Sequence, residues 1–370
     1  MSNSLLRRIA SWVPGWVKKR VSARVKYFLY DRLKYVPRTV VIDIVGSCNL
    51  GCPSCPSGGG RELQNRGGKM SLEMFERIIE KISREQPGTT VALFNWTEPL
   101  IHPQIEEFIV AIRRRGLRSR ISTNLNILRD PDKLAAAHLD SMTISLSGFT
   151  QPVYVIGHKD GDIEIVKQNM RRLSEAFRRA GALTEVTVYY HKYLHNLHEI
   201  DLMREYAESL GFRFGASWAY YMPVERVQEY VEGKLPQPEV EFIEKHFALN
   251  IRSAVEATKP FRSEPCHLPV TLLTLDCRGD VQLCCSVYDA GRFTIGPYLE
   301  TPFEIIEQRL KSHSYCRECT KHGLHIYTAW HGHQISGRYE QIAADECLKK
   351  PKPNVGLMQN VVQPMNRDAR

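Results

Sequence analysis

The sequence predicts an α/β fold, a parallel sheet with helices on its outer side. Short runs rich in β-branched residues alternate with helical periods six times between residues 39 and 218, the pattern that β/α crossovers produce. The first run, residues 40–45, is followed at once by three cysteines, Cys48, Cys52 and Cys55. Composition then changes after Pro223, where a polar, glutamate-rich stretch leads to further cysteines between 266 and 319.

With 370 residues, 43% hydrophobic and 25% charged, the chain is long enough to bury a sizeable core and has an ordinary globular composition. Its net charge of +9 is uneven. Residues 1–38 hold ten Lys and Arg against one acid, Asp31, and the remainder carries 40 basic and 40 acidic residues. The positive excess therefore belongs to this leader and does not argue that the body binds polyanions. The leader is predicted as two short helices broken at Pro14-Gly15. Trp16, Val17, Val21, Val25, Phe28, Leu29 and Leu33 recur at helical spacing between basic residues. Such a helix suits the surface of an anionic membrane, by contact through residues 4–35. A helix packed on the catalytic body with a solvated basic face is the equal alternative. Nucleic acid is not an expected partner, because the leader has neither a flexible Gly/Ser stretch nor a known motif.

From residue 39 the expected strands are 40–45, 91–95, 118–123, 142–147, 185–190 and 213–218. The helices between them are 71–82, 104–114, 132–138, 163–179 and 197–210. Ser71 is placed to cap the first helix, with Glu73 and Glu76 near its positive end. Gly116, Gly181 and Gly211 stop three of the others. Residues 223–262 are expected as a linker. Residues 270–284 read as a β-hairpin around Arg278-Gly279-Asp280, 302–311 as a helix and 316–319 as a chelating loop. Residues 349–370 are expected to form an exposed tail.

Ten cysteines without a signal peptide place the chain in a reducing compartment, where grouped thiols are read as metal ligands. The expected location is the cytoplasm, with peripheral contact at the inner membrane surface. No apolar run reaches the roughly 20 residues needed to span a bilayer. Three thiols in one loop can wrap a small inorganic centre. Zinc would require a fourth ligand, and a four-iron cluster would leave one iron open. A structural zinc loop and scattered buried cysteines are the bland alternatives.

The CxxxCxxC spacing after a strand resembles the radical S-adenosylmethionine (SAM) superfamily. The resemblance implies a partial (β/α)6 TIM-like barrel over residues 39–222 and a [4Fe-4S] cluster on Cys48, Cys52 and Cys55, with SAM chelating the fourth iron. Reduction of bound SAM then yields methionine and a 5′-deoxyadenosyl radical, which removes a hydrogen atom from a substrate C–H bond. Phe94-Asn95-Trp96-Thr97-Glu98-Pro99 occupies the place of the family's GGEP-like motif. Glu98 and Pro99 match it and imply that Glu98 binds the methionine amino group; Trp96 and Thr97 replace the glycines. Ser122, Thr123 and Asn124 resemble the third-strand TNG segment, with Leu125 in place of glycine, and Ser145 lies in an SxDG-like fourth-strand segment. These four are candidate contacts to the SAM carboxylate or ribose. Ser147 and Gly148 are expected to shape the turn.

Cys266, Cys284, Cys316 and Cys319 resemble the twitch or SPASM extension, in a small C-terminal α+β iron–sulfur domain over 263–348. The resemblance implies one auxiliary [4Fe-4S] cluster, since His325 stands where the next cysteine of a full SPASM pattern would fall; a second, on Cys347 and nearby histidines, is the alternative. Zinc on the same four thiolates is the alternative. Cys277 and Cys285 are candidate hydrogen-atom donors, as in relatives that invert a stereocentre. His191, His195 and His198 form no recognised metal set and are read as solvated or turn residues.

The function expected is hydrogen-atom abstraction from a polar small-molecule or sugar-like substrate, free or, in view of the leader, lipid-linked, for oxidation or epimerisation. An external electron donor such as flavodoxin or ferredoxin is implied. The alternatives are a radical SAM peptide maturase and a non-catalytic metal-binding interaction protein.

Overall fold

The β-branched run at its start forms the first strand, β1 (Thr39–Ile42), of a computed structural model that describes residues 39–58, 67–329 and 333–349. The leader, with its expected membrane contact, and the expected tail from residue 350 onward lie outside the described residues. Five further strands follow: β2 (Thr90–Ala92), β3 (Arg118–Thr123), β4 (Ser141–Leu146), β5 (Glu185–Lys192) and β6 (Arg213–Trp218). Each pairs in parallel with the strand before it, and β1 and β6 do not close on each other. The result is the partial TIM-like barrel expected. Its carboxyl strand ends all open on one side, where barrels of this kind keep their chemistry.

The helix Leu72–Glu85 shows how one crossover is held. Ser71 Oγ accepts the Met74 amide at 3.1 Å, a capping bond. Phe75, Ile78, Ile79 and Ile82 recur at helical spacing and are fully buried. Each such side chain stabilises the fold by about 1.5–3 kcal/mol. The Phe75 ring stacks on Phe108 of the helix Ile105–Arg114, with centroids 4.2 Å apart.

The expected hairpin forms from β7 (Leu272–Leu275) and β8 (Asp280–Gln282), with β9 (Thr294–Pro297) beyond it. It does not make a sheet of its own. β7 pairs in parallel with β1, from Thr39 opposite Leu272 to Ile42 opposite Leu275, so the nine strands of the described residues form one sheet. β8 and β9 follow antiparallel. Lys81, buried in the first helix, fastens this extension by donating to the Tyr298 and Thr301 carbonyls at 2.5 and 2.6 Å.

Three stretches differ from the reading of their sequence. Residues 223–262 contain the helices Val224–Glu232, Gln237–His246 and Ile251–Glu256. An unpredicted helix, Gln151–Gly157, follows β4. Cys316 and Cys319 lie within a helix, Ser314–Lys321, instead of a loop. No Gly or Pro interrupts that stretch, and three-residue spacing puts both thiols on one helical face.

Candidate active site and metal centres

The carboxyl ends of the strands enclose a cleft of about 500 Å³, within the usual range of small-molecule sites. Cys48, Cys52, Cys55, Glu98, Ser122, Thr123, Asn124, Ser145 and Cys285 all line it. The structure therefore brings together candidates that the sequence spreads over more than 200 positions.

The thiol loop is tightly folded. The Cys55 amide donates to the Cys52 carbonyl, and the Gly58 amide to the Cys55 carbonyl, each at 3.1 Å. A Cβ on Gly58 would stand 2.4 Å from the Cys52 nitrogen, so only glycine fits. Burial pushes the Cys48 thiol up to about 12 and holds Cys52 well above its ordinary range, with the neighbouring thiols adding to both shifts. Burial thus favours their protonated form. A cationic metal centre supplies the charge that would draw their protons off, so the donor set fits the cluster its spacing implies.

Glu98 is 3% exposed. Its Oε1 accepts the Leu100 amide at 3.0 Å and Thr123 Oγ1 at 2.7 Å, and its Oε2 accepts the Asn124 amide at 2.8 Å. Burial nevertheless raises its pKa to about 7. Desolvation thus outweighs three hydrogen bonds that favour the charged form. Asn124 Nδ2 reaches Asn49 Oδ1 at 3.0 Å and lies 3.7 Å from Cys48 Sγ, joining this carboxylate network to the thiol loop. Leu125, where the resemblance leads one to expect glycine, adopts φ +54°. The backbone keeps the left-handed turn although the side chain has changed.

Trp96 does not block the cleft. Its indole Nε1 donates to the Val287 carbonyl at 3.0 Å and its ring meets Tyr288 edge-on, tying the end of β2 to the C-terminal extension. Ser145 Oγ lies 2.9 Å from His191 Nε2. Ser147 Oγ lies 2.7 Å from His158 Nδ1, and a Cβ on Gly148 would stand 2.7 Å from the Tyr154 backbone. Both residues hold the turn after β4.

Several residues in the cleft or beside it carried no expectation or a different one. Asp43 is buried just beyond β1, and its Oδ1 accepts the Asn95 amide at 2.9 Å, the Trp96 amide at 3.2 Å and Thr97 Oγ1 at 2.6 Å. A lone acid in the run VVIDIV was its sequence signal. His191 lines the cleft and is not simply solvated. His158, Tyr193 and Tyr220 line it too. Burial lowers His158 to about 3 and raises each tyrosine to about 12. His195 is turned away from the cleft, with its Nδ1 3.1 Å from that of His246, and His198 is exposed. The two remaining thiols separate. Cys285 faces the cleft, whereas Cys277 is buried outside it, with Sγ donating to the Gly67 carbonyl at 3.2 Å. Of the two expected hydrogen donors, Cys285 is the one that lines the cleft.

Cys266, Cys284, Cys316 and Cys319 line one small second cavity, together with Tyr315 and His325. Burial raises all four thiols, Cys266 to about 12, and the neighbouring thiols raise Cys266, Cys284 and Cys319 further. Among the described residues no three His, Cys, Asp or Glu side chains are set to hold a single metal ion; the grouping is read from the shared cavity and this mutual electrostatic effect.

Residues 42–207 match a family model described as Radical SAM superfamily. Over 125 residues the chain is 29% identical to 7,8-dihydro-6-hydroxymethylpterin dimethyltransferase of Methanocaldococcus jannaschii, covering 31% of this chain and 23% of that protein. The match thus spans less than a quarter of that relative's length. Similar solved structures include anSMEcpe with bound AdoMet, at 14% identity and TM-score 0.50, covering 85% of this chain and 93% of that one. Streptococcus suis SuiB bound to the precursor peptide SuiA, at 13% identity and TM-score 0.50, covers 75% and 65%. These likenesses concern the fold.

Proposed function

As the chain belongs to the radical SAM superfamily, whose enzymes use a [4Fe-4S] cluster and SAM, we propose that it acts in this cleft on a polar small-molecule or sugar-like substrate, for oxidation or epimerisation. When bound, cluster and SAM supply a 5′-deoxyadenosyl radical that abstracts a hydrogen atom. The observation that carries this reading is the cleft itself, in which three thiols, the Glu98 carboxylate and hydrogen-bonding side chains meet beside apolar ones such as Phe94, Met222 and Leu268 at the carboxyl ends of one barrel.

The chain's own residues then take these parts. Cys48, Cys52 and Cys55 hold the cluster. Glu98 accepts the ammonium group of SAM, prepositioned by Thr123 and Asn124. Ser122 and Ser145 serve its carboxylate and ribose. His191, Tyr193 and Tyr220 orient the substrate, since buried donors and acceptors of this kind reject apolar ligands. Cys285 is the thiol in reach of the substrate cavity. Cys266, Cys284, Cys316 and Cys319 form the donor set of an auxiliary cluster beside it. The basic leader, residues 4–35, is the segment for peripheral membrane contact, read from composition alone. Sedimentation of the full chain with anionic vesicles at low salt, lost at high salt, is the result expected of it; indifference to those vesicles removes that part of the reading.

The test of the reaction is anaerobic reconstitution followed by reduction in the presence of SAM. Reductant-dependent formation of 5′-deoxyadenosine is expected, and it is abolished by Cys52→Ala. A fully reconstituted sample that forms none overturns the reading.

A further inference from the structure

Asn124 follows β3 directly and is 8% exposed in the wall of the cleft. A chain of bonds fixes which way its side-chain amide points. The Asp162 backbone N–H can only donate, and it meets Asn126 Oδ1 at 2.7 Å. Asn126 therefore turns its Nδ2 the other way, to Asn124 Oδ1 at 3.1 Å. The Asn126 backbone N–H reaches the same oxygen at 2.9 Å. With two donors on its oxygen, Asn124 presents its Nδ2 hydrogens on the opposite side. There Nδ2 meets Asn49 Oδ1 at 3.0 Å and Cys48 Sγ at 3.7 Å, one acceptor for each hydrogen. The Leu50 and Asn49 amides also favour the ionised form of the Cys48 sulfur.

We propose that the Asn124 side chain donates an N–H···S hydrogen bond to the Cys48 thiolate when the cluster is bound, and that this bond raises the cluster's reduction potential. The proposal rests on the reading that places the cluster on Cys48, Cys52 and Cys55. Ligation removes the thiol proton and leaves a charged acceptor, to which N–H donors bind most strongly. An added electron puts further negative charge on the cluster's sulfurs. A donor aimed at one of them thus stabilises the reduced form more than the oxidised one, and hydrogen bonds of this kind help to set the potential. Asn124 is in this way a positioning residue for the cluster, a part separate from the contact to the SAM carboxylate or ribose that its segment implies. Its backbone amide, 2.8 Å from Glu98 Oε2, does not depend on the side chain.

The test uses the full chain, reconstituted anaerobically with ferrous iron and sulfide and kept free of SAM, so that a role in SAM binding alone moves nothing. The electron paramagnetic resonance signal of the reduced cluster, identified by its loss in Cys52→Ala, is followed as the potential is stepped. Asn124→Leu keeps the branched shape and has no donor. At the midpoint of the unmodified chain, its ratio of reduced to oxidised cluster is expected to fall about tenfold, a shift of about 59 mV for one electron. Asn124→Asp keeps an oxygen for the two Asn126 donors and sets a carboxylate beside the sulfur, and a fall at least as large is expected at pH 8. An unchanged midpoint in Asn124→Leu overturns the proposal. Where that variant loads no iron at this site, an unchanged midpoint in Asn124→Asp does so. A reconstituted chain in which Cys52→Ala removes no signal overturns the underlying cluster assignment instead.

Discussion

Glu98 accepts three hydrogen bonds in a buried pocket, and its pKa of about 7 records the cost of that burial. A folded-state value above the ordinary 4.5 means that the folded chain keeps this proton where the unfolded chain has lost it. The resulting stability is fully present below pH 4.5 and is lost as pH rises through 7, an increment on the order of 3 kcal/mol. Glu98→Gln is expected to flatten the dependence of the urea midpoint on pH across that window. Binding of the SAM ammonium needs the carboxylate. Affinity measured by calorimetry is therefore expected to rise about tenfold from pH 6 to pH 8 in the unmodified chain and to stay level in Glu98→Gln. Leu125 poses a different contest at the same scale. Its left-handed φ of +54° costs about 1–2 kcal/mol, which glycine would relieve. The side chain is fully buried, and its loss costs at least about 2–5 kcal/mol. Packing outweighs strain, so Leu125→Gly is expected to lower the unfolding free energy even though glycine suits the turn.

At the scale of elements, the loop after β2 is held by Asp43 and the helix Leu324–Thr328 by its glycine start. Asp43→Asn keeps the shape but turns one acceptor into a donor facing donors. A loss of about 1–3 kcal/mol is expected from denaturant unfolding, with weaker SAM binding because Glu98 follows directly on that loop. Gly323→Ala combines a left-handed backbone with a Cβ 1.9 Å from Thr258 Oγ1. It is expected to lower the melting temperature and to reduce iron from about eight to about four per chain, since this helix forms a wall of the four-thiol cavity. Unchanged iron in that variant would show that the helix does not shape the site.

At the scale of the whole molecule, the C-terminal extension is built into the sheet. β7 gives β1 its second neighbour, Trp96 bonds to the Val287 carbonyl, and Lys81 donates to two carbonyls beyond β9. Ending the chain after residue 262 would bare the β1 edge, which exposes unpaired amides and carbonyls to other chains. Such a truncated protein is expected to aggregate on size-exclusion chromatography. A monodisperse product would show instead that the barrel is complete without the extension. The same continuity brings Cys285, 237 positions after Cys48, into the cleft that holds the first three thiols.

The periodic parts of the chain were legible from its residues alone. β3, β6 and the helix Ile163–Arg179 fall on the expected residues because β-branched alternation and helical spacing are local properties, punctuated by Gly181 and Gly211. The thiol triplet and Glu98 were legible for a similar reason, since their chemistry is written in short spacings. Irregular segments were not. The helices across 223–262 draw on the core they pack against more than on their own pattern, and residues 316–319 looked like a loop because the cysteines drew attention away from a stretch with nothing to break a helix. The sequence by itself determined the β/α rhythm, the thiol groups and the acid at the second strand end. Only the tertiary structure decided that Cys285 lines the cleft while Cys277 lies outside it, that His191 lines it, and that Asp43 braces the loop leading to Glu98. Side-chain direction and burial arise from contacts between distant segments, and no spacing along the chain encodes them.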